Sequence, residues 1–164
     1  MIKTLIAIAL MFLAGTFIDG SKSPPTPRIS SASITVNMTK RRFTESEQLL
    51  ISSIIKNHSD KPLTIYDCWI WPNHRITVLD EQGHEVALTP KGKRAARRFE
   101  EPGRDKNVRV QIAPQGSLKT IQNDDLRGYY QIGKGTYRVL VRYRDTLPPT
   151  PLDMMSKEFT FIVD

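Results

Sequence analysis

The chain has 164 residues, 39% of them hydrophobic, with 24 Lys and Arg against 17 Asp and Glu for a net charge of +7, and it has one cysteine. That length suits a single domain with a real core, and the lone cysteine excludes an intrachain disulfide, so the core alone must hold the fold.

Lys3 followed by the unbroken apolar run Leu5 to Ala14 gives residues 1–20 the form of a cleavable secretory signal, with Gly15 or Gly20 as candidate cleavage points. The run is shorter than the roughly twenty residues a helix needs to cross a bilayer, so no stable transmembrane anchor is expected. An uncleaved anchor or a buried helix are its other readings. Thr16 stands where a lipobox needs cysteine, so a thioether-linked lipid is not expected. The expected location is secreted or periplasmic. Residues 21–30, with Pro24, Pro25 and Pro27 among small polar residues, read as a linker, and residues 31–164 as one domain.

Within that domain β-branched and aromatic clusters recur between turn signals, and helical periodicity is nearly absent. Strands are expected at Ser33 to Thr39, at Leu49 to Lys56 (apolar on both faces, hence central) and at Leu63 to Trp71. Asn57 to Pro62 is the turn before the third. Ile76 to Leu79 and Glu85 to Leu88 read as a hairpin in which Gly83 takes positive φ. Further strands are expected at Val108 to Ile112, Ser117 to Ile121, Gly135 to Arg144 and Glu158 to Val163. In the longest, Tyr137, Val139, Val141 and Tyr143 share one face, while Arg138, Arg142 and Arg144 share the other with Leu140. The fold expected is therefore all-β, an antiparallel two-sheet immunoglobulin-like sandwich, with a closed barrel as the alternative. Tyr137 or Tyr130 is the candidate for a corner tyrosine whose hydroxyl bonds back to the backbone.

The succession Asn57-His-Ser-Asp-Lys-Pro-Leu63, Ile76-Thr-Val-Leu-Asp80 with Gly83, Ala113-Pro-Gln-Gly-Ser117 and Gly135-Thr-Tyr-Arg-Val139 resembles secreted immunoglobulin-like modules, including the prosegment of deuterolysin-type metalloproteases. It resembles the intracellular proteinase inhibitor domain family more loosely. The resemblance spans about residues 45–145 and rests on turn and core residues, so it implies a fold and only loosely an inhibitor or prosegment-like role. No zinc-protease domain follows in this chain, and the export signal disagrees with an intracellular inhibitor.

The strongest compositional anomaly runs from Lys91 to Arg109. Eight basic residues (Lys91, Lys93, Arg94, Arg97, Arg98, Arg104, Lys106 and Arg109) face three acidic ones, five of the seven net charges of the chain. With Gly92, Pro102 and Gly103 it reads as a long loop, with at most a helical turn at Arg94 to Phe99, and such loops are uncommon unless functional or disordered. A dense cationic segment attracts phosphates, sulfated glycans or anionic headgroups, whereas a solvated loop and a processing site are the other readings. Phe99 is its only aromatic residue and no base-reading motif is present, so specific nucleic-acid recognition is not expected.

Trp71, beside Pro72, is a candidate aromatic contact for a partner or a sugar ring, while Trp69 is assigned to the core. Cys68 reads as a small buried residue, with a reactive thiol or an intermolecular disulfide as alternatives. His58, His74 and His84 occur singly, each in an expected turn, without metal-ligand spacing. No catalytic motif, cofactor loop or metal set is found, so no enzyme activity and no cofactor are expected. Asn37-Met-Thr39 and Asn57-His-Ser59 match the glycosylation sequon. The function expected is a secreted non-enzymatic binding module for a protein or polyanion, with a proteinase inhibitor or prosegment-like chaperone as the alternative; a hydrolase would need a site assembled from distant residues.

Overall fold

Ala32, Ile34 and Val36 are buried along the first strand, Ala32–Met38 (β1), while Thr35 and Asn37 on its other face are exposed. This two-residue period is that of a strand with one face on a core. The computed structural model describes residues 31–67, 73–100, 108–145 and 152–164. The expected signal and linker, together with Cys68, Trp69, Trp71, Arg104 and Lys106, lie outside the described residues.

After β1 come β2 (Arg42–Phe43), β3 (Leu50–Asn57), β4 (Leu63–Asp67), β5 (His74–Leu79), α1 (Pro90–Glu100), β6 (Val108–Ile112) and β7 (Ser117–Asp125). A 3₁₀ turn at Leu126–Gly128 leads to β8 (Gly135–Asp145), β9 (Leu152–Met155) and β10 (Phe159–Val163). The protein is mostly β. One sheet has the order β1-β3-β7, a second β2-β10-β8-β5 with β9 also on β8, and a third pairs β4 with β6. All the pairs are antiparallel except β2 with β10.

The expected central place of the second strand holds, since β3 lies between β1 and β7. Its two register shifts against β7 fall around Ser53, whose buried hydroxyl bonds Thr120 Oγ1 at 2.8 Å and accepts from Ile121 N at 3.2 Å. In β8 the expected face is buried: Tyr137, Val139, Val141 and Tyr143 all point inward. They join Ile34, Ile51, Ile55 and Ile121 from the first sheet and Ile65 and Ile112 from the third in one core.

Two turns carry this arrangement. Asn57, wholly buried, donates through Nδ2 to the carbonyls of Lys61, Ile112 and Ala113 at 2.8–3.3 Å, and its Oδ1 accepts from Ser59. At the other turn Gly83 has the expected positive φ of 86°, and its N–H reaches Asp80 O at 3.1 Å.

Three expectations need correction. Glu85 to Leu88 is not a strand; it makes single bridges, Leu79 with Glu85 and Leu88 with Tyr130, because Val86 N donates to Val78 O on one side while Ala87 O accepts from Gln131 N on the other. The basic stretch from Pro90 to Glu100 is not a loop but a helix. His74 is not in a turn; it opens β5 and is fully buried. The short β2 and β9 were not anticipated.

Candidate functional site

The site begins with the chemistry that makes α1 a helix. Thr89 stands before Pro90, and its Oγ1 accepts from Gly92 N at 3.1 Å while donating to Gly128 O at 2.7 Å. The hydroxyl thus satisfies an otherwise orphaned helix N–H, and Pro90 supplies a φ already suited to the first turn. Gly92 permits the close approach that follows, because a Cβ there would lie 2.1 Å from Tyr129 O.

Gly92, Ala95 and Phe99 are the buried residues of α1, spaced three and four apart on one face. At the C-terminal end the Arg144 guanidinium lies 4.4 Å from the centroid of the Phe99 ring, and its Nη2 donates to Phe99 O at 2.6 Å. That bond caps a terminal helix carbonyl with positive charge, where the helix dipole favours it. Glu100 accepts from Arg75 Nη1 at 2.7 Å, and Arg75 also reaches Glu85 at 3.2 Å. At the opposite end Lys91 Nζ sits 4.3 Å over the Tyr129 ring. Burial raises the nearby Asp124 carboxyl above its usual range, and the Lys91 charge opposes that shift.

The strand arginines and the cations of α1 differ in their partners. On the strands Arg138 pairs with Glu158 at 3.1 Å, Arg142 with Asp153 at 2.8 Å, and Arg109 donates to Tyr66 Oη at 2.8 Å. The carboxyl of Asp153 is held below the usual range chiefly by its hydrogen bond to Arg142. On α1, Lys93, Arg94, Arg97 and Arg98 are all exposed, and none has an ion-pair partner among the described residues. They fall opposite the buried face, with Lys93 beside Arg97 and Arg94 beside Arg98 one turn apart. Three like-charge neighbours at i,i+3 or i,i+4 cost about 0.2–0.5 kcal/mol each, so this face weakens the helix that carries it by about 1 kcal/mol.

Of the basic residues singled out in the sequence, five are thus brought onto one helix, four of them on its open face and Lys91 engaged with Tyr129. Arg104, Lys106 and Trp71 fall outside the described residues.

The histidines do not gather. His58 Nε2 is 2.7 Å from Ser33 Oγ and His84 Nδ1 is 3.7 Å from Asp80, while His74 packs edge-on against Tyr143 at 5.0 Å. Among the described residues no three His, Cys, Asp or Glu side chains lie together so as to hold a metal.

Sequence reasoning missed the polar end of the core around His74. Both ring nitrogens of His74 and Oδ1 of Asn73 are buried without a hydrogen bond, and Tyr143 Oη lies 3.3 Å from the buried Asp145. Burial lowers the His74 pKa to about 4. The signal was present: in His74-Arg-Ile-Thr-Val78 strict alternation puts His74 on the same face as Ile76 and Val78.

No helix among the described residues is long and apolar enough to cross a membrane. Compared with protein-family models and with curated proteins, the chain matches none.

Proposed function

We propose that this is an exported, non-enzymatic binding module of immunoglobulin-like sandwich architecture, which holds an anionic partner on the exposed face of α1. Strand order supports the architecture. The sheet β1-β3-β7 follows the A-B-E order of such sandwiches, and β5-β8-β10 follows C-F-G. The first strand is split in the matching way, β1 antiparallel to β3 and β2 parallel to β10. Tyr137 Oη donates to Gly133 O at 3.2 Å, four residues upstream, as a corner tyrosine does; Tyr130 instead bonds the distant Ile76 O.

The observation that carries the binding role is the gathering of four exposed cations, without an ion-pair partner among the described residues, on one face of α1. The strand arginines have acidic, carbonyl or tyrosyl partners, whereas Lys93, Arg94, Arg97 and Arg98 lie together without one, on a helix fixed at both ends. A face that costs stability and is rigidly displayed has the form of a site prepared for opposite charge.

The test is binding to an immobilised polyanion. Replacing Arg94, Arg97 and Arg98 by Ala is expected to lower the salt concentration at which the protein elutes, well beyond a charge-matched control in which Lys56, Lys119 and Lys134 are replaced. Equal losses in the two variants would mean that net charge, not this face, governs binding.

A further inference from the structure

We infer that the partner held by α1 is a densely sulfated polysaccharide segment lying along the helix, engaged by charge and bidentate hydrogen bonds without insertion of the helix into a lipid surface. This rests on the reading of α1 as the binding face.

α1 is not built to enter a lipid surface. A helix that lies in a membrane interface buries its apolar face among the acyl chains. The apolar face of α1 is already occupied: Phe99 is 1% exposed and Ala95 6%, and Gly92 lies against Tyr129 O. The outward arc offers Lys93, Arg94, Arg97 and Arg98, with no apolar side chain to enter a bilayer. Detaching the helix to free its apolar face would break the Arg75–Glu100 pair and the bond from Arg144 to Phe99 O together.

The charge on the open face of α1 is dense. Lys93 and Arg98 are separated by about 7.5 Å along the axis at 1.5 Å per residue, so four cations occupy that length, about one per 2 Å. A chain bearing isolated carboxylates is too sparse to match them, whereas several sulfate esters on successive sugars present oxyanions closely enough. Three of the four cations are arginines, whose planar fork binds two oxygens of one oxyanion at once, a geometry that lysine does not offer.

The surroundings of α1 also favour sugar over single-stranded nucleic acid. Single-stranded nucleic acids are held by aromatic platforms as well as by charge. Both aromatic rings at α1 are closed to such stacking: Phe99 lies under Arg144 and Tyr129 under Lys91, and Tyr129 is only 3% exposed.

The experiment is equilibrium binding of the purified protein at physiological salt to heparin, chemically desulfated heparin, phosphatidylglycerol vesicles, polyglutamate and a DNA duplex. Binding to heparin should weaken roughly tenfold on desulfation and exceed binding to the other three probes by a similar factor. Replacing Arg94, Arg97 and Arg98 by Lys, which keeps the charge and removes the forks, should weaken heparin binding several-fold while leaving thermal unfolding unchanged. Vesicles, polyglutamate or DNA bound as tightly as heparin would overturn the sulfated-glycan assignment and leave the anionic-partner reading standing. Absence of binding to every probe would overturn both.

Discussion

Arg144, on the central strand β8, covers the ring of Phe99 at the end of α1 and donates to the carbonyl of the same residue at 2.6 Å. One side chain thus ties the helix to the sheet by a ring contact and a charged hydrogen bond. The cationic face is rigid because of this contact and its counterpart at Thr89.

Truncating Phe99 to Ala should therefore cost about 3–5 kcal/mol, the range for a large aromatic removed from a packed interior. Arg144→Ala should cost less, about 1–3 kcal/mol, since it loses a charge-assisted bond and a stacking contact at a part-exposed position. Urea unfolding followed by tryptophan fluorescence measures both. If Phe99→Ala unfolds at the wild-type midpoint, α1 is not docked as described.

Gly92 reads as a helix breaker in sequence, yet substitution by Ala should destabilise the protein although Ala is the better helix former. The added Cβ would meet Tyr129 O at 2.1 Å and Leu88 Cδ2 at 3.0 Å, so the helix must shift. The penalty expected for such overpacking is about 1–3 kcal/mol, against a propensity gain of about 1 kcal/mol. A variant with an unchanged or higher melting temperature would contradict the close approach.

His74 predicts a pH dependence of stability. Its folded pKa is lowered from 6.5 to about 4 by burial, so between these values the unfolded chain binds a proton that the folded chain refuses. The stability is fully present above about pH 6.5 and is lost as pH falls toward about 4, in total about 3 kcal/mol at 1.36 kcal/mol per unit. The lowered pKa of Asp153 adds a loss at more acidic pH. Replacing His74 by Leu should flatten the stability curve between pH 4 and 6.5. An unchanged slope in that variant would remove His74 as the cause.

Asn57 serves its turn through five hydrogen bonds. Asn57→Ala leaves the buried Ile112 carbonyl without this donor and removes the anchor for Ser59, for an expected loss of about 2–4 kcal/mol. The same burial closes the second sequon. In a glycosylating expression host, mass spectrometry of the folded protein should find Asn57 unmodified, whereas Asn37 on the exposed side of β1 is open to modification.

How much of this was legible in the sequence depended on period and length. The two-residue alternation of Tyr137 to Tyr143 specified β8, and the Asp80 to His84 turn with Gly83 was readable because its chemistry is local. The helix was not. Its buried stripe is three residues long, one of them glycine, too sparse to raise a 3.6-residue pattern above five neighbouring cations, and it is held by Arg75, Arg144 and Tyr129 from elsewhere in the chain. For the same reason the basic residues could be picked out, but their separation into paired and unpaired groups could not: Arg138 finds Glu158, and Arg142 finds Asp153, only through strand pairing. The expected turn at His74 conflicts with an alternation of only three inward positions, His74, Ile76 and Val78, too short to mark the start of β5 by itself.

The claim that α1 carries the binding face is tested most directly by backbone amide chemical shifts recorded while a short heparin oligosaccharide is titrated into the protein. Perturbations should concentrate at Lys93 to Arg98, extend to Arg75 and Arg144 behind the helix, and leave β1, β3 and β7 unchanged. Perturbations centred instead on Lys56, Lys119 or Lys134, with α1 silent, would contradict it.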